Sequence, residues 1–287
     1  MWIDDGLAMG YNPFAMPALY IVATPIGNLE DMSLRAIRIL GEVKLIAAED
    51  TRRTRRLLST YKINTPLTSY YERSNKSKLA YILERLEQED VALVSEAGMP
   101  GISDPGYELV RAAIERNIPI VAIPGPSVLP AALAVSGLPA NQFVYLGFLP
   151  RRKGDRKRLL DSIALEHRTI VVFEAPHRLL ASLADVREAL GDREIAVCRE
   201  LTKVYEEVFR GTVSEAISRF TQPRGEFTLV ISGRRQEREV VEVTSLIRDE
   251  LRRLRKEGIP ARKAIAELSG ATGLAKRVLY RAWLEGS

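Results

Sequence analysis

Three times within the first 130 residues, a short apolar run ends abruptly in a turn rich in glycine and proline. Leu19–Ala23 runs into Thr24-Pro-Ile-Gly-Asn28, Val91–Ser95 into Glu96-Ala-Gly-Met-Pro-Gly-Ile-Ser-Asp-Pro-Gly106, and Ile118–Ile123 into Pro124-Gly-Pro-Ser127. A fourth apolar run lies at Val43–Ala47, and helical spacing appears in between: Leu79, Tyr81, Ile82, Leu83 and Leu86 share one face of Ser77–Leu86, and Tyr107–Ile114 repeats the pattern. Short β-rich runs alternating with helical periods predict βαβ units and a parallel sheet. Such sheets take their ligands beyond the carboxyl ends of the strands. The expectation is therefore one shared ligand site built from three loops, in which Gly98, Gly101 and Gly106 let backbone approach a small molecule and Asp104 supplies an acid. Each loop taken alone is equally compatible with an ordinary strand-to-helix connection.

Past Gly137-Leu-Pro139 the pattern changes. Runs at Phe143–Phe148, Thr169–Phe173, Glu194–Val197, Tyr205–Phe209 and Phe227–Ile231 follow, with fewer helices between the last three, which predicts a second α/β domain with a mixed sheet. Gly233–Glu239 has no apolar residue and reads as a linker. Beyond it, Leu246, Ile247, Leu251 and Leu254 form one helical stripe, Ala264, Ile265 and Leu268 a second, and Leu274, Val278, Leu279 and Trp283 a third. Gly258 and Pro260 separate the first two, and Ser269–Thr272 is expected to turn between the last two. The spacing suits a helix-turn-helix or a small helical bundle. The expected organisation is a frayed extension over 1–17, an α/β domain over 18–138, a second over 141–233 and a helical tail over 240–287.

Function classes fall away on simple counts. Residues 1–16 carry Asp4 and Asp5 and no continuous apolar core, unlike a signal peptide, and no run is long enough to span a bilayer. One cysteine, Cys198, and two histidines, His167 and His177, are too few for a structural zinc site, so no metal and a reducing cytoplasm are expected. Cys198 sits in the strand pattern Glu194-Ile-Ala-Val-Cys198 and is expected to pack rather than react. No GxxxxGK[ST], GxGxxG or GxSxG motif is present.

What stands out is charge at strand ends, in Glu49–Arg56, Arg151–Arg158, Glu174–Arg178 and Arg199–Glu206. Six of the eight residues in Arg151–Arg158 are basic, and Val240–Ser287 holds ten Lys and Arg against six Asp and Glu. Together with Arg52, Arg53, Arg55 and Arg56, these make three separate sources of positive charge, and a nucleic acid becomes a better partner than a small anion. Tyr70 and Tyr71 could stack on an unpaired base or simply pack.

Taken together, Thr24–Leu29, Ala48–Arg52, Ser95–Gly106, Ile123–Ser127, Phe173–Arg178, Arg199–Lys203 and Gly225–Leu229 resemble the tetrapyrrole methylase family. These are S-adenosylmethionine methyltransferases without the usual Rossmann fingerprint, and the likeness runs over about residues 18–287, toward the branch acting on small-subunit ribosomal RNA. The resemblance implies two α/β domains with the methyl donor in the cleft between them, a homodimer, and 2′-O-methylation of a cytidine ribose in the decoding region of 16S ribosomal RNA. Carried over residue by residue, it puts Ile102, Ser103, Asp104, Ser127, Val128, Glu174, Ala175, Leu201 and Thr228 around S-adenosylmethionine. Methionine at Met99 and valine at Val128 depart from the family's more usual threonine and alanine. A ribose hydroxyl is a poor nucleophile, so a group must orient it or take its proton. Lys203, supported by Glu200, is the leading candidate, with Asp50 and Glu49 behind it. The basic clusters nominate Arg52, Arg53, Arg151, Arg152, Lys153, Arg178, Lys276 and Arg277 as RNA contacts. Two other readings stay open: a methylase of small, tetrapyrrole-type molecules, and a non-catalytic RNA-binding assembly factor.

Overall fold

The computed structural model describes residues 16–71, 76–235 and 243–285. The extension expected over 1–17 therefore lies almost wholly outside the described residues, as do positions 236–239 of the expected linker. The chain divides into two compact units, Met1–Arg234 and Arg235–Ser287.

Both sheets belong to the first unit. The first comprises β1 (Leu19–Val22), β2 (Leu45–Ala48), β3 (Leu67–Ser69), β4 (Val91–Val94) and β5 (Ile120–Ile123), all parallel, in the order β3-β2-β4-β1-β5. Strands β1, β2 and β4 are buried along their whole length, which is why they read as unbroken apolar runs. Helices α1 (Leu34–Glu42), α2 (Thr51–Thr60), α3 (Lys76–Leu86) and α4 (Tyr107–Glu115) connect them, and α5 (Val128–Ser136) follows β5. One face of the sheet packs on Ile39, Leu40 and Leu58, and the other on Ile82, Leu86 and Leu109. The three glycine loops leave β4, β1 and β5, which are neighbours in the sheet, and Thr24 and Gly98 join two of those loops by reciprocal backbone hydrogen bonds of 2.9 Å. Strand β3 gives no sequence signal, being three residues long and two of them hydroxylated. Tyr70, just beyond it, is buried in the core, so packing accounts for it, whereas Tyr71 is exposed.

The second sheet is mixed, with β6 (Phe143–Phe148), β7 (Thr169–Glu174), β8 (Glu194–Arg199), β9 (Glu207–Thr212) and β10 (Phe227–Ile231) in the order β6-β7-β10-β8-β9. Only β6 and β7 run parallel. Helices α6 (Lys153–Ser162), α7 (Leu179–Leu190) and α8 (Val213–Arg219) contribute to the core on one face. On the other face, Ala132 and Leu133 of α5 pack against Val171, Ala196, Cys198 and Val230. Helix α5 thus leaves the first sheet and seats on the second, and this orders the loops between them. The strand expected from Tyr205 begins instead at Glu207, because the Glu206 amide donates to the Lys203 carbonyl at 3.1 Å and holds Tyr205 in a turn.

The second unit is three helices, α9 (Ser245–Lys256), α10 (Ala261–Thr272) and α11 (Lys276–Glu285), around Leu251, Leu254, Ala264, Ile265, Leu268, Leu274 and Leu279. The break at Gly258–Pro260 lies where expected. The second break does not: α10 runs on through Ser269–Thr272 and stops at Gly273, whose φ of 71° is the left-handed conformation that ends helices. The Thr272 hydroxyl bonds back to the Leu268 carbonyl at 2.5 Å, so the polar residues that suggested a turn stay inside the helix.

Candidate functional site: a cleft between two sheets

A cleft of about 420 Å³ opens between loops of the first sheet and strand ends of the second. From the first come Glu96, Gly98, Met99, Ile102, Ser103, Asp104, Ser127 and Val128, and from the second Phe148, Phe173, Glu174, Ala175, Glu200, Leu201, Glu226 and Thr228. All nine residues expected around the donor line this one cavity. The Ser95–Gly106 loop reaches it through left-handed backbone at Gly98 (φ 76°), Gly101 (φ 82°) and, without glycine's freedom, Ser103 (φ 62°). Ser103 is held there by a 2.5 Å hydrogen bond between its hydroxyl and that of Tyr145.

Burial pushes the Asp104 carboxyl up to about 6, and the nearby Glu49 and Glu96 carboxylates push it the same way against a hydrogen bond to Ser95. Glu174 is buried beneath the wall, and its carboxylate accepts from the Ala175 amide at 2.8 Å and from the Ser182 hydroxyl at 2.5 Å, and pairs with Arg178 at 2.5 Å. Arg178 also donates to the Leu149 carbonyl at 3.0 Å. The sequence pattern expected Arg178 among the RNA contacts, but its guanidinium is committed inside the wall, where it neutralises a buried acid. Cys198 lines the cleft as a neutral group, its thiol pushed by burial up to about 11.

Glu200 and Leu201 of the Glu200–Lys203 loop line one side, whereas Lys203, the leading catalytic candidate, is not among the residues lining the cleft. Glu200 (φ 50°) and Thr202 (φ 67°) both adopt left-handed backbone that non-glycine residues seldom visit. Lys203 Nζ sits 2.9 Å from Glu200 Oε1 and 2.9 Å from Glu226 Oε2, and Glu200 Oε1 also accepts from the Glu226 amide at 2.8 Å. Burial alone would lower the Lys203 ammonium, yet its hydrogen bonds to Glu226 and Glu200 outweigh that and raise it. For Glu200 the same contest, burial against Lys203 and the Glu226 amide, ends below the usual carboxylate range. Gly225 makes room for this arrangement, since a Cβ there would lie 2.5 Å from Glu200 Cγ. Gly27 does likewise: its Cβ would collide with Lys203 and sit 2.7 Å from Thr202 Oγ1.

Asp50 is not among the residues lining the cleft. It caps α2, accepting from the amides of Arg53 and Arg52, which hold its carboxyl below the usual range. Glu49 accepts from the Glu96 amide at 3.3 Å. Arg53 pairs with Glu96, and both border a shallower groove of about 270 Å³ that Gly27 and Arg56 also line. Arg52, Arg151, Arg152 and Lys153 are exposed. Arg156, counted in the same basic run, is buried and paired with Asp185 at 2.5 Å. Lys276 and Arg277 lie, with Arg262 and Tyr280, along a groove of about 580 Å³ on the helical unit. Sequence reading missed Glu96, Phe148, Phe173 and Glu226 in the cleft. Glu226 had a signal, its place directly after Gly225. Phe148 had none, because only the sheet brings its ring edge-on to Phe173, 5.6 Å between centroids. Among the described residues, no group of three or more His, Cys, Asp or Glu side chains could hold a metal.

A parallel sheet and a mixed sheet flanking a cleft of about 420 Å³ define a two-sheet α/β protein with a cavity of small-molecule size. Residues 18–217 match the family described as Tetrapyrrole (Corrin/Porphyrin) Methylases, and the chain belongs to it. A Ribosomal RNA small subunit methyltransferase I of Synechocystis sp. is 48% identical over 94% of this chain and 98% of its own length. One of Thermotoga maritima is 53% identical over 76% of this chain and all of its own length. Among solved structures, a uroporphyrin-III C-methyl transferase from Thermus thermophilus, complexed with S-adenyl homocysteine, superposes with a TM-score of 0.54 at 21% identity, covering 79% of this chain and 100% of that one. At that identity the likeness speaks for the fold. No helix among the described residues is long and apolar enough to cross a membrane.

Proposed function

We propose that this chain transfers a methyl group from S-adenosylmethionine to 16S ribosomal RNA of the small subunit, and that the acceptor is the 2′-hydroxyl of a cytidine in the decoding region. The observation that carries the reading is the 48% identity to a small-subunit ribosomal RNA methyltransferase along nearly the whole of both chains. The cleft suits the donor. Its volume of about 420 Å³ is that of a small-molecule site, Phe148, Phe173, Ile102 and Leu129 offer apolar faces, and Asp104 and backbone at Gly98 offer polar partners for a cationic ligand. When bound, S-adenosylmethionine supplies an electrophilic methyl group on a sulfonium.

The chain's own residues then have to place a hydroxyl and stabilise the charge that develops on it. Lys203, kept protonated by Glu200 and Glu226, is suited to orient the ribose oxygen and stabilise the developing alkoxide, and a permanently charged ammonium favours that role over general base. Asp50 acts at one remove by capping α2 and fixing the start of the helix that carries Arg52 and Arg53. Arg52, Arg53, Arg151, Arg152 and Lys153, with Lys276 and Arg277 of the tail, are the proposed phosphate contacts. The assembly proposed is a cytoplasmic homodimer, which sedimentation of the full chain tests.

The deciding experiment supplies methyl-labelled S-adenosylmethionine together with small-subunit particles, naked ribosomal RNA or a tetrapyrrole mixture in separate reactions, and digests labelled RNA to nucleosides. Label in 2′-O-methylcytidine, from RNA or particles only, is the expected result. Label in the tetrapyrrole fraction transfers the function to small molecules. RNA binding without label in any fraction leaves a non-catalytic assembly factor.

A further inference from the structure

The loop that carries Lys203 goes on to expose its next two side chains, Val204 at 93% and Tyr205 at 74%. Apolar side chains at a turn tip are ordinarily mobile, but this tip is held from below. The Lys203 amide donates to the Glu200 carbonyl at 3.0 Å, the Glu206 amide to the Lys203 carbonyl at 3.1 Å, and the Thr202 amide to the Glu206 carboxylate at 2.5 Å. Left-handed backbone at Glu200 and Thr202 adds strain, and the Thr202 hydroxyl is buried without a hydrogen-bond partner. Strain, an orphaned hydroxyl and two solvent-held apolar groups on a tightly bonded turn are costs that folding alone does not require.

We infer that Val204 and Tyr205 form a stacking platform for an unpaired base of the RNA, one that places the acceptor nucleotide beside Lys203. The inference rests on the proposed RNA methylation. Aromatic rings are the usual partners of splayed-out bases, and sequence-specific RNA recognition seeks unpaired nucleotides. The charge around the tip points to a base rather than a phosphate: the Lys203 ammonium is already shared by Glu200 and Glu226, so with the exposed Glu206 the acids outnumber it and disfavour the backbone, while carboxylate oxygens accept hydrogen bonds from an exocyclic amine such as that of cytosine. Phosphates are served elsewhere, by Arg53 and Arg56 in the adjoining groove, which the Lys203 loop touches through Gly27. Two residues make too small an apolar patch to hold a second protein chain by themselves.

The test compares wild type, Tyr205→Ala and Tyr205→Phe as full chains. It measures donor affinity by calorimetry, thermal stability, sedimentation, and single-turnover methyl transfer at varied concentrations of small-subunit particles. The expected result is a loss of about tenfold or more in kcat/KM for the particles in Tyr205→Ala, carried mainly by KM, with donor affinity and melting unchanged and Tyr205→Phe close to wild type. Transfer by Tyr205→Ala equal to wild type overturns the platform while leaving RNA methylation standing. A smaller sedimenting species for Tyr205→Ala overturns it in favour of contact between copies of this chain. Absence of transfer to RNA by wild type itself removes the functional reading and the platform with it.

Discussion

Asp104 carries the clearest consequence of placing an acid among glycines. Its carboxyl titrates near 6 in the fold against 3.8 when solvated, so the folded state prefers the protonated form. The stability this gives is complete below the unfolded value and is lost as pH rises through about 6. Asp104→Asn is therefore expected to be about 1–2 kcal/mol more stable than wild type at pH 8, allowing for solvent screening of a half-buried group, and no different at pH 3. Urea unfolding at the two pH values checks it. The same variant should bind the donor more weakly at pH 8, and wild-type affinity should fall as pH drops below about 6, which calorimetry reads directly. Lys203→Met removes a charge assigned to the developing alkoxide. It should lower single-turnover transfer by about 10²- to 10³-fold with donor affinity intact, and near-normal transfer would return Lys203 to gripping phosphate. Asp104 was legible from sequence because glycines frame it. The pairing of Lys203 with Glu226 was not, since 23 residues separate them and only adjacent strands bring them to 2.9 Å.

Elements place these residues through contacts that local patterning does not record. Helix α6 begins with the exposed Lys153, just after Arg151 and Arg152, but is anchored by Arg156, which is buried, donates to Asp185 of α7 at 2.7 Å, and reaches the Pro150 carbonyl at 3.2 Å. A run that looked uniformly basic thus splits into exposed charges and one internal clasp. Asp185→Ala would leave the guanidinium buried and unpaired, and should cost about 3–5 kcal/mol in denaturant unfolding. The same variant should weaken RNA binding without touching RNA, because the start of α6 loses its tether. Apolar periodicity identified α3, α4 and the three tail helices. It failed at β3, too short to show a period, and at Tyr205, whose β-type residue is held in a turn by hydrogen bonds of its own loop.

For the whole molecule, two compact units divide the charge, and RNA binding should reflect both. A chain ending at Arg235 is expected to keep donor affinity and to bind RNA with a log K against log salt slope shallower by about two, one step for each of Lys276 and Arg277. Filter binding over a salt series measures it, and an unchanged slope would take the tail off the RNA. The sequence by itself determined most of the strands and helices, β3 and the boundaries at Tyr205 and Ser269–Thr272 apart, and that three glycine loops leave apolar strands. Backbone propensity, side-chain period and the missing Cβ of glycine are local properties, written in a few consecutive residues. Tertiary structure alone decided that those loops leave neighbouring strands, that α5 crosses to seat on the second sheet, that Arg178 and Arg156 turn inward, and that Lys203 stays cationic between two acids. Each of these depends on strand order and burial, through which residues far apart in the chain come to share one low-dielectric environment.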